Sequence, residues 1–283
     1  MSKLIQLRQR SKAIETIKKI THAMRLISMS THSHLQHMQD SLTRYTREVD
    51  QLFSQLITYA PTWRNPILHP NENSSPKTAI ILIGSQKGLC GSFNTQLTKL
   101  FTKEIGERNE QSFDLIAVGQ KAVDFTKSSE QGDLKQSYAK FNAQRLVPIA
   151  REITQLLIDA KPHYTSVLIF SNLPKSFFIQ KPQVTELIPI IPPESSEPAD
   201  KNEFAWEESP ESLLNTLLPQ YLESKLQHFE FQSLIAEHAA RFISMDSATR
   251  NAKELLEENN LEYNKLRQTK ITKELTELIG SYT

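Results

Sequence analysis

Residues 221–279 read YLESKLQHFEFQSLIAEHAARFISMDSATRNAKELLEENNLEYNKLRQTKITKELTELI, and neither proline nor glycine interrupts them. At a rise of ~1.5 Å per residue, one helix of that length reaches roughly 90 Å. A compact interior cannot hold such a helix, so it needs a partner along its length. The other end of the chain offers one. From Ser2 to Tyr59 there is again no proline and no glycine. Apolar residues recur there at spacings of three and four, through Leu4, Leu7, Ile14, Ile17, Met24 and Ile27. They continue as Met38, Leu42, Tyr45, Val49, Leu52 and Leu56, a heptad pattern that predicts a coiled-coil seam. Pro61 and Pro66 end it.

The middle of the chain differs. Ala79–Ile83 is an unbroken apolar run of strand length, Phe113–Val118 a second and Ser166–Phe170 a third. Helical patterns over about Ser92–Glu107 and Gln144–Ala160 separate them. Strands without alternation, interleaved with helices, predict a sheet covered on both faces and mainly parallel. Phe177–Gln180 and Val184–Ile190 suggest an added antiparallel hairpin at one edge. The fold class expected is therefore α/β. Long N- and C-terminal helices form an antiparallel coiled coil, with a Rossmann-like α/β domain inserted between them. The corresponding spans are 1–60 for the first helix, 61–78 for a connection and 79–191 for the α/β domain. Residues 192–219 form an acidic connection and foot, and 220–283 the second helix, with Pro219 near its start.

The C-terminal seam is expected to run through Ser233, Ala236, Ala240, Ser247 and Ala248. Small side chains there permit close approach but forgo burial worth roughly 1.5–3 kcal/mol per large side chain. Such a rod suits a position inside something else.

Charge is balanced, with 33 basic against 32 acidic side chains, so no whole-molecule field points to nucleic acid. Its distribution is uneven. Residues 1–50 carry nine Lys or Arg against four acids, and residues 194–211 carry seven acids against Lys201 alone. Two different neighbours are implied, or else two solvated faces. Cys90 is the single cysteine, which excludes an intrachain disulfide and suits a reducing compartment. The N-terminal residues lack the apolar core of a secretory signal, and no run approaches a membrane span. Membrane contact is expected only through partners.

Several groups invite a chemical reading. Gly84-Ser-Gln-Lys-Gly-Leu-Cys-Gly91 follows a strand and precedes a helix, where phosphate loops often lie. It matches neither the P-loop nor the dinucleotide pattern, so a structural turn is the alternative. Cys90 has no histidine near it in sequence, and His34 and His37 are too few to hold a metal well. No cofactor is expected. Arg267, Gln268 and Thr272 share one broad helical face.

Three segments in order resemble the gamma subunit of F-type ATP synthases. Ile17-Lys18-Lys19-Ile20-Thr21-His22-Ala23-Met24 is similar to the family's KIT-x-AM signature. Lys87-Gly88-Leu89-Cys90-Gly91 is similar to its RGLCG turn. The third segment is Glu237-His238-Ala239-Ala240-Arg241, then Met245, Ala248-Thr249, Tyr263-Asn264-Lys265, Arg267-Gln268 and Ile271-Thr272-Lys273-Glu274-Leu275. The chain departs from the family at His22, over Arg25–His32, and in its Gly280–Thr283 tail.

The resemblance implies a non-catalytic rotor shaft that couples ion-driven rotation to conformational cycling of catalytic subunits. Implied partners are the alpha and beta subunits of the catalytic head, the epsilon subunit and the membrane c-ring. The place implied is the cytoplasmic face of the bacterial inner membrane. Arg267, Gln268 and Thr272 would touch moving loops of the head, with Met24 and Arg241 near its rim. Arg8, Arg10, Lys12, Lys18 and Lys19 would face acidic loops of the head. Glu207, Glu208 and Ser209 would lie near the ring and epsilon. A coiled-coil scaffold with an inserted domain explains the architecture but not the C-terminal string. A nucleotide-dependent enzyme would need a working phosphate loop.

Overall fold

The computed structural model describes residues 3–69, 77–108, 112–129, 131–190 and 207–280. Two compact units result, one joining Met1–Ser30 to Arg241–Thr283 and the other formed by Thr31–Ala240. Two helices run through both, α1 (Lys3–Tyr59) and α5 (Pro210–Gly280). None of the described helices is long and apolar enough to cross a membrane.

The larger unit holds a five-stranded sheet in the order β3-β2-β1-β4-β5. Its strands are β1 (Thr78–Ile83), β2 (Phe113–Val118), β3 (Asp133–Tyr138), β4 (Ser166–Ser176) and β5 (Ile179–Ile188). The first four in the sheet run parallel, and β5 returns antiparallel along β4. Because side chains alternate across a strand, β1 supplies both sheet faces. Ile80 and Leu82 pack with Leu97 and Phe101 of α2 (Phe93–Arg108) and with Val123 of α3 (Gln120–Ser129). Ala79, Ile81 and Ile83 face the other way, into a core with Ile149 and Ile153 of α4 (Leu146–Asp159). That core also takes Leu35, Val49, Phe53 and Leu56 of α1 and Leu214, Leu222 and Leu226 of α5. This double cover explains the unbroken apolar run.

Within this unit α1 and α5 run antiparallel. Asp50 accepts a 2.7 Å bond from Lys225, and Phe53 stacks on Tyr221 at 4.2 Å. After the helix, Trp63 Nε1 donates to Asn215 Oδ1 at 3.2 Å. Gly119, at φ 89, closes the turn after β2. A Cβ there would lie 2.3 Å from the Gly84 carbonyl oxygen, so only glycine fits.

Several expectations are corrected. The seam of α1 does not use Met38, Tyr45 or Leu52, which are exposed. Its buried positions recur every seventh residue, at Leu35, Val49 and Leu56, with Leu42 half-buried between them. Thr46 and Phe53 fill the second heptad position. In α5, Ser247 is exposed. The helix begins at Pro210, so it takes in residues assigned to the acidic foot, and Pro219 lies inside it. Its ring points to solvent while Leu218, Tyr221 and Leu222 pin the same stretch to the core. Strand β4 runs on to Ser176, and Pro182 is accommodated because β5 is an edge strand. The remainder of the acidic foot, residues 192–206, lies outside the described residues, as do residues 70–76 of the 61–78 connection.

Replacing Phe53 with alanine is expected to cost about 3–5 kcal/mol in a urea titration of the full chain. Leu52→Ala is expected to cost about 0.5 kcal/mol or less. Equal losses would restore the seam through Met38, Tyr45 and Leu52.

Candidate functional site

In the smaller unit, α1 and α5 are joined by polar groups where a strong coiled coil would bury leucine. The buried residues of α1 are Leu7, Ile14, Thr21 and Ser28, one per heptad, and those facing them on α5 include Met245, Ala252 and Asn259. Asn259 Nδ2 donates to the Leu7 carbonyl at 2.8 Å and to Ser11 Oγ at 2.6 Å. Thr249 Oγ1 donates to Thr21 Oγ1 at 2.9 Å. Arg25 Nη1 meets Asp246 Oδ1 at 2.7 Å, and that guanidinium holds the Asp246 carboxyl below its ordinary range. Lys3 pairs with Glu262 at 3.2 Å. A slip of one heptad would break these directional contacts together, so the polar seam fixes register at the expense of burial. Arg25, one of the departures from the family pattern, is thus used inside the rod.

The outside of this unit mixes charged side chains with large apolar ones. Ile5, Ile17, Ile20, Leu26, Ile27 and Met29 are exposed on α1. Beyond Leu266, every described residue of α5 is exposed, including Ile271, Leu275, Leu278 and Ile279. The stretch from Arg267 to Gly280 is ~20 Å long and lies wholly beyond the Lys3–Glu262 pair. Its apolar positions Ile271, Leu275 and Leu278 follow a 4-3 spacing along one face.

Arg267 and Gln268 are exposed at the base of this tip, and Thr272 Oγ1 bonds back to the Gln268 carbonyl at 3.0 Å. The expected basic group divides. At 3.6 residues per turn, Arg8, Lys12 and Lys19 share a face, Lys18 lies beside them, and Arg10 points away. All are exposed except half-buried Lys18, and Lys19 pairs with Glu15 at 2.9 Å. Met24 is half-buried. Arg241 is only 5% exposed. At the start of α5, Ser209 Oγ accepts the Ser212 amide at 3.2 Å, capping the helix, with Pro210 in its first turn. Glu208 accepts from the Ser212 hydroxyl at 2.9 Å, and Glu207 is exposed.

In the larger unit, the loop Gly84–Gly91 leaves the C-terminal end of β1, where an open α/β sheet commonly binds a nucleotide. Here its first amide donors are already taken. The Ser85 amide donates to Asn94 Oδ1 at 3.0 Å and the Gln86 amide to Glu237 Oε2 of α5 at 3.2 Å. Glu237 is 2% exposed, and its carboxylate takes an amide that a bound phosphate would otherwise use. Cys90 and Phe93 pack against Ala236 and Ala240 of the same helix, so the thiol is a packing group. The loop and the Ala236–Ala240 stretch, far apart in sequence, form one clasp. Leu89 at its apex is held at φ 63 and is 58% exposed. His34 and His37 are exposed, and no three His, Cys, Asp or Glu converge as metal ligands among the described residues.

Sequence reasoning missed Glu230. It lies wholly buried on α5, neither carboxylate oxygen has a hydrogen-bond partner, and burial pushes its pKa well above the ordinary range. It acts on the Tyr138 hydroxyl at the end of β3, as does Glu152 of α4, and burial with these two carboxyls raises that phenol to about 12. A glutamate in a long helical stretch gives no signal of burial by itself; only the apolar residues around it, Leu226, Phe231 and Leu234, hint at it.

The profile of the family described as ATP synthase matches residues 3–283. The ATP synthase gamma chain of Pelotomaculum thermopropionicum is 31% identical over 283 residues, 99% of this chain and 98% of its own. That of Chlorobium phaeobacteroides is 32% identical over 288 residues, with the same coverage. A chain of the Euglena gracilis mitochondrial ATP synthase has the same fold, with a TM-score of 0.65 at 13% identity over 98% of this chain and 93% of its own. A chain of the Tetrahymena thermophila central stalk and c-ring gives 0.59 at 20% identity, over 81% and 99%.

Glu230 makes stability depend on pH with a defined sign. Its folded pKa lies above the ordinary 4.5, so the folded state keeps a proton that the unfolded state releases. Stability is therefore greatest at low pH for this group. It falls by up to about 1.4 kcal/mol per pH unit from the unfolded value upward, and levels off above the folded one. Glu230→Gln is expected to flatten that slope in urea titrations between pH 5 and 8. An unchanged slope would place the proton elsewhere.

Proposed function

This chain belongs to the ATP synthase gamma family, and from that membership we propose that it is the central rotor shaft of an F-type ATP synthase. The observation that carries this reading is the α5 tip of the smaller unit, where Ile271, Leu275, Leu278 and Ile279 are exposed beyond the reach of α1. A helical stretch with an apolar face and nothing packed on it calls for a partner. A sleeve of protein around it supplies the missing cover. The alpha and beta subunits of the catalytic head are that sleeve, meeting Arg267, Gln268, Thr272, Ile271 and Leu275 at the tip. The face carrying Arg8, Lys12 and Lys19 meets acidic loops of the same head.

The chain has no catalytic part in this scheme. A rod with different residues on each face offers each catalytic site a different contact, and rotation exchanges those contacts. A ligand or partner shifts an equilibrium only through differential interaction with its states, and the asymmetric faces supply that difference. The capped start of α5, with Glu207 and Glu208, lies toward the c-ring and epsilon subunit. This places the chain peripherally at the cytoplasmic face of the membrane, held there by partners.

In a complex reconstituted with the alpha–beta head, Arg267→Ala combined with Gln268→Ala is expected to lower coupled ATP synthesis roughly tenfold, equivalent to about 1.4 kcal/mol. Lys99→Ala, on the exposed side of α2, leaves the rate unchanged. Wild-type synthesis from the double variant would remove the tip from the coupling path.

A further inference from the structure

Strand β4 pairs with β1 only as far as Phe170, but its pairing with β5 continues to Ser176↔Ile179. Residues 171–183 therefore leave the sheet as a two-stranded arm. A bare two-stranded ribbon is marginal in water, so the arm needs an anchor. Phe177 provides it by meeting His32 of α1 edge-on, with ring centroids 4.9 Å apart. His32 is 2% exposed there. Asn172 Nδ2 adds a 3.4 Å bond to the Phe93 carbonyl at the arm's base.

The anchored tip leaves its other apolar residues outside. Phe178 is 74% exposed and Ile179 51%. Lys175 and Lys181 flank them, both exposed and neither in an ion pair among the described residues. No Asp or Glu occurs from Ala160 to Thr185, so the arm is purely cationic. We propose that this arm is a second docking element of the shaft, whose Phe178 and Ile179 seat in an acidic loop of a neighbouring protein subunit while Lys175 and Lys181 pair with its carboxylates.

Two magnitudes select this occupant. Electrostatic attachment to an anionic membrane takes clusters of roughly four to eight basic residues, and the arm has two. A protein interface needs one buried aromatic anchor with a charged rim, which the tip presents. Pro174 and Pro182 interrupt the arm's backbone donors, which disfavours strand addition and leaves side-chain docking. The identity of the neighbour rests on the shaft reading. Within that reading, the neighbour is one of the head subunits proposed to meet the basic face of α1.

The test uses the assembled complex with Phe178 exchanged for photoreactive benzoylphenylalanine, and a control in which Ile271 is exchanged instead. Crosslinks from position 178 to a head-subunit peptide rich in Asp or Glu support the proposal. Lys175→Glu with Lys181→Glu should then cut the yield roughly tenfold. Crosslinking from 271 but not from 178 overturns the arm and keeps the shaft. Crosslinks from 178 to lipid alone, or a yield indifferent to charge reversal, also overturn it. Failure at both positions overturns the shaft reading itself.

Discussion

A 71-residue helix must be covered along its length, and how α5 is covered governs everything else in the molecule. Between Pro210 and about Ala240 the cover is an apolar core shared with α1, α4 and one face of the sheet. Past Arg241 the pairing continues with Thr21, Ser11 and Asn259 hydrogen-bonded across the seam. Burial in that second region is small, so register is held by direction more than by area. Large apolar residues, Ile17, Ile20, Leu26, Ile27 and Ile271 among them, stand outside the seam between charged ones. Such a rod suits completion by its surroundings, since those side chains gain burial only against a partner.

The α/β unit follows a different logic from the dinucleotide folds it resembles in topology. The crevice at the strand ends, available for ligand in an open sheet, is closed by α5. Glu237 binds the loop after β1, and Ala236 and Ala240 give Cys90 and Phe93 room to pack. Small residues on α5 are needed here for close approach, which accounts for part of its pale composition. Glu230, carrying an unpaired carboxyl in the same helix, is a local cost that packing elsewhere offsets.

Much of this was legible in sequence. Freedom from proline and glycine gave both long helices, and unbroken apolar runs gave β1, β2 and the first half of β4. Strand β3, Asp-Leu-Lys-Gln-Ser-Tyr, was missed because an edge strand with a mostly exposed surface carries little apolar signal. The seam was misread for a reason specific to this protein. Met38, Tyr45 and Leu52 obey the heptad as well as Leu42, Val49 and Leu56 do, and hydrophobicity cannot rank them when the outside of the rod also carries large apolar residues. Ile17 and Ile27 misled in the same way, whereas Thr21 and Ser28, the true inward residues, look like surface. The Gly84–Gly91 turn was recognised as structural from its missing P-loop residues, but its partner Glu237 lies 151 positions away in the chain, beyond any local pattern.

Rotation itself is the most direct measure of the account. With the catalytic head fixed to a surface and a bead attached through the exposed larger unit, ATP should drive stepwise turning of the bead in one direction. A bead that stays bound but does not turn while ATP is hydrolysed would contradict a shaft and indicate a static scaffold.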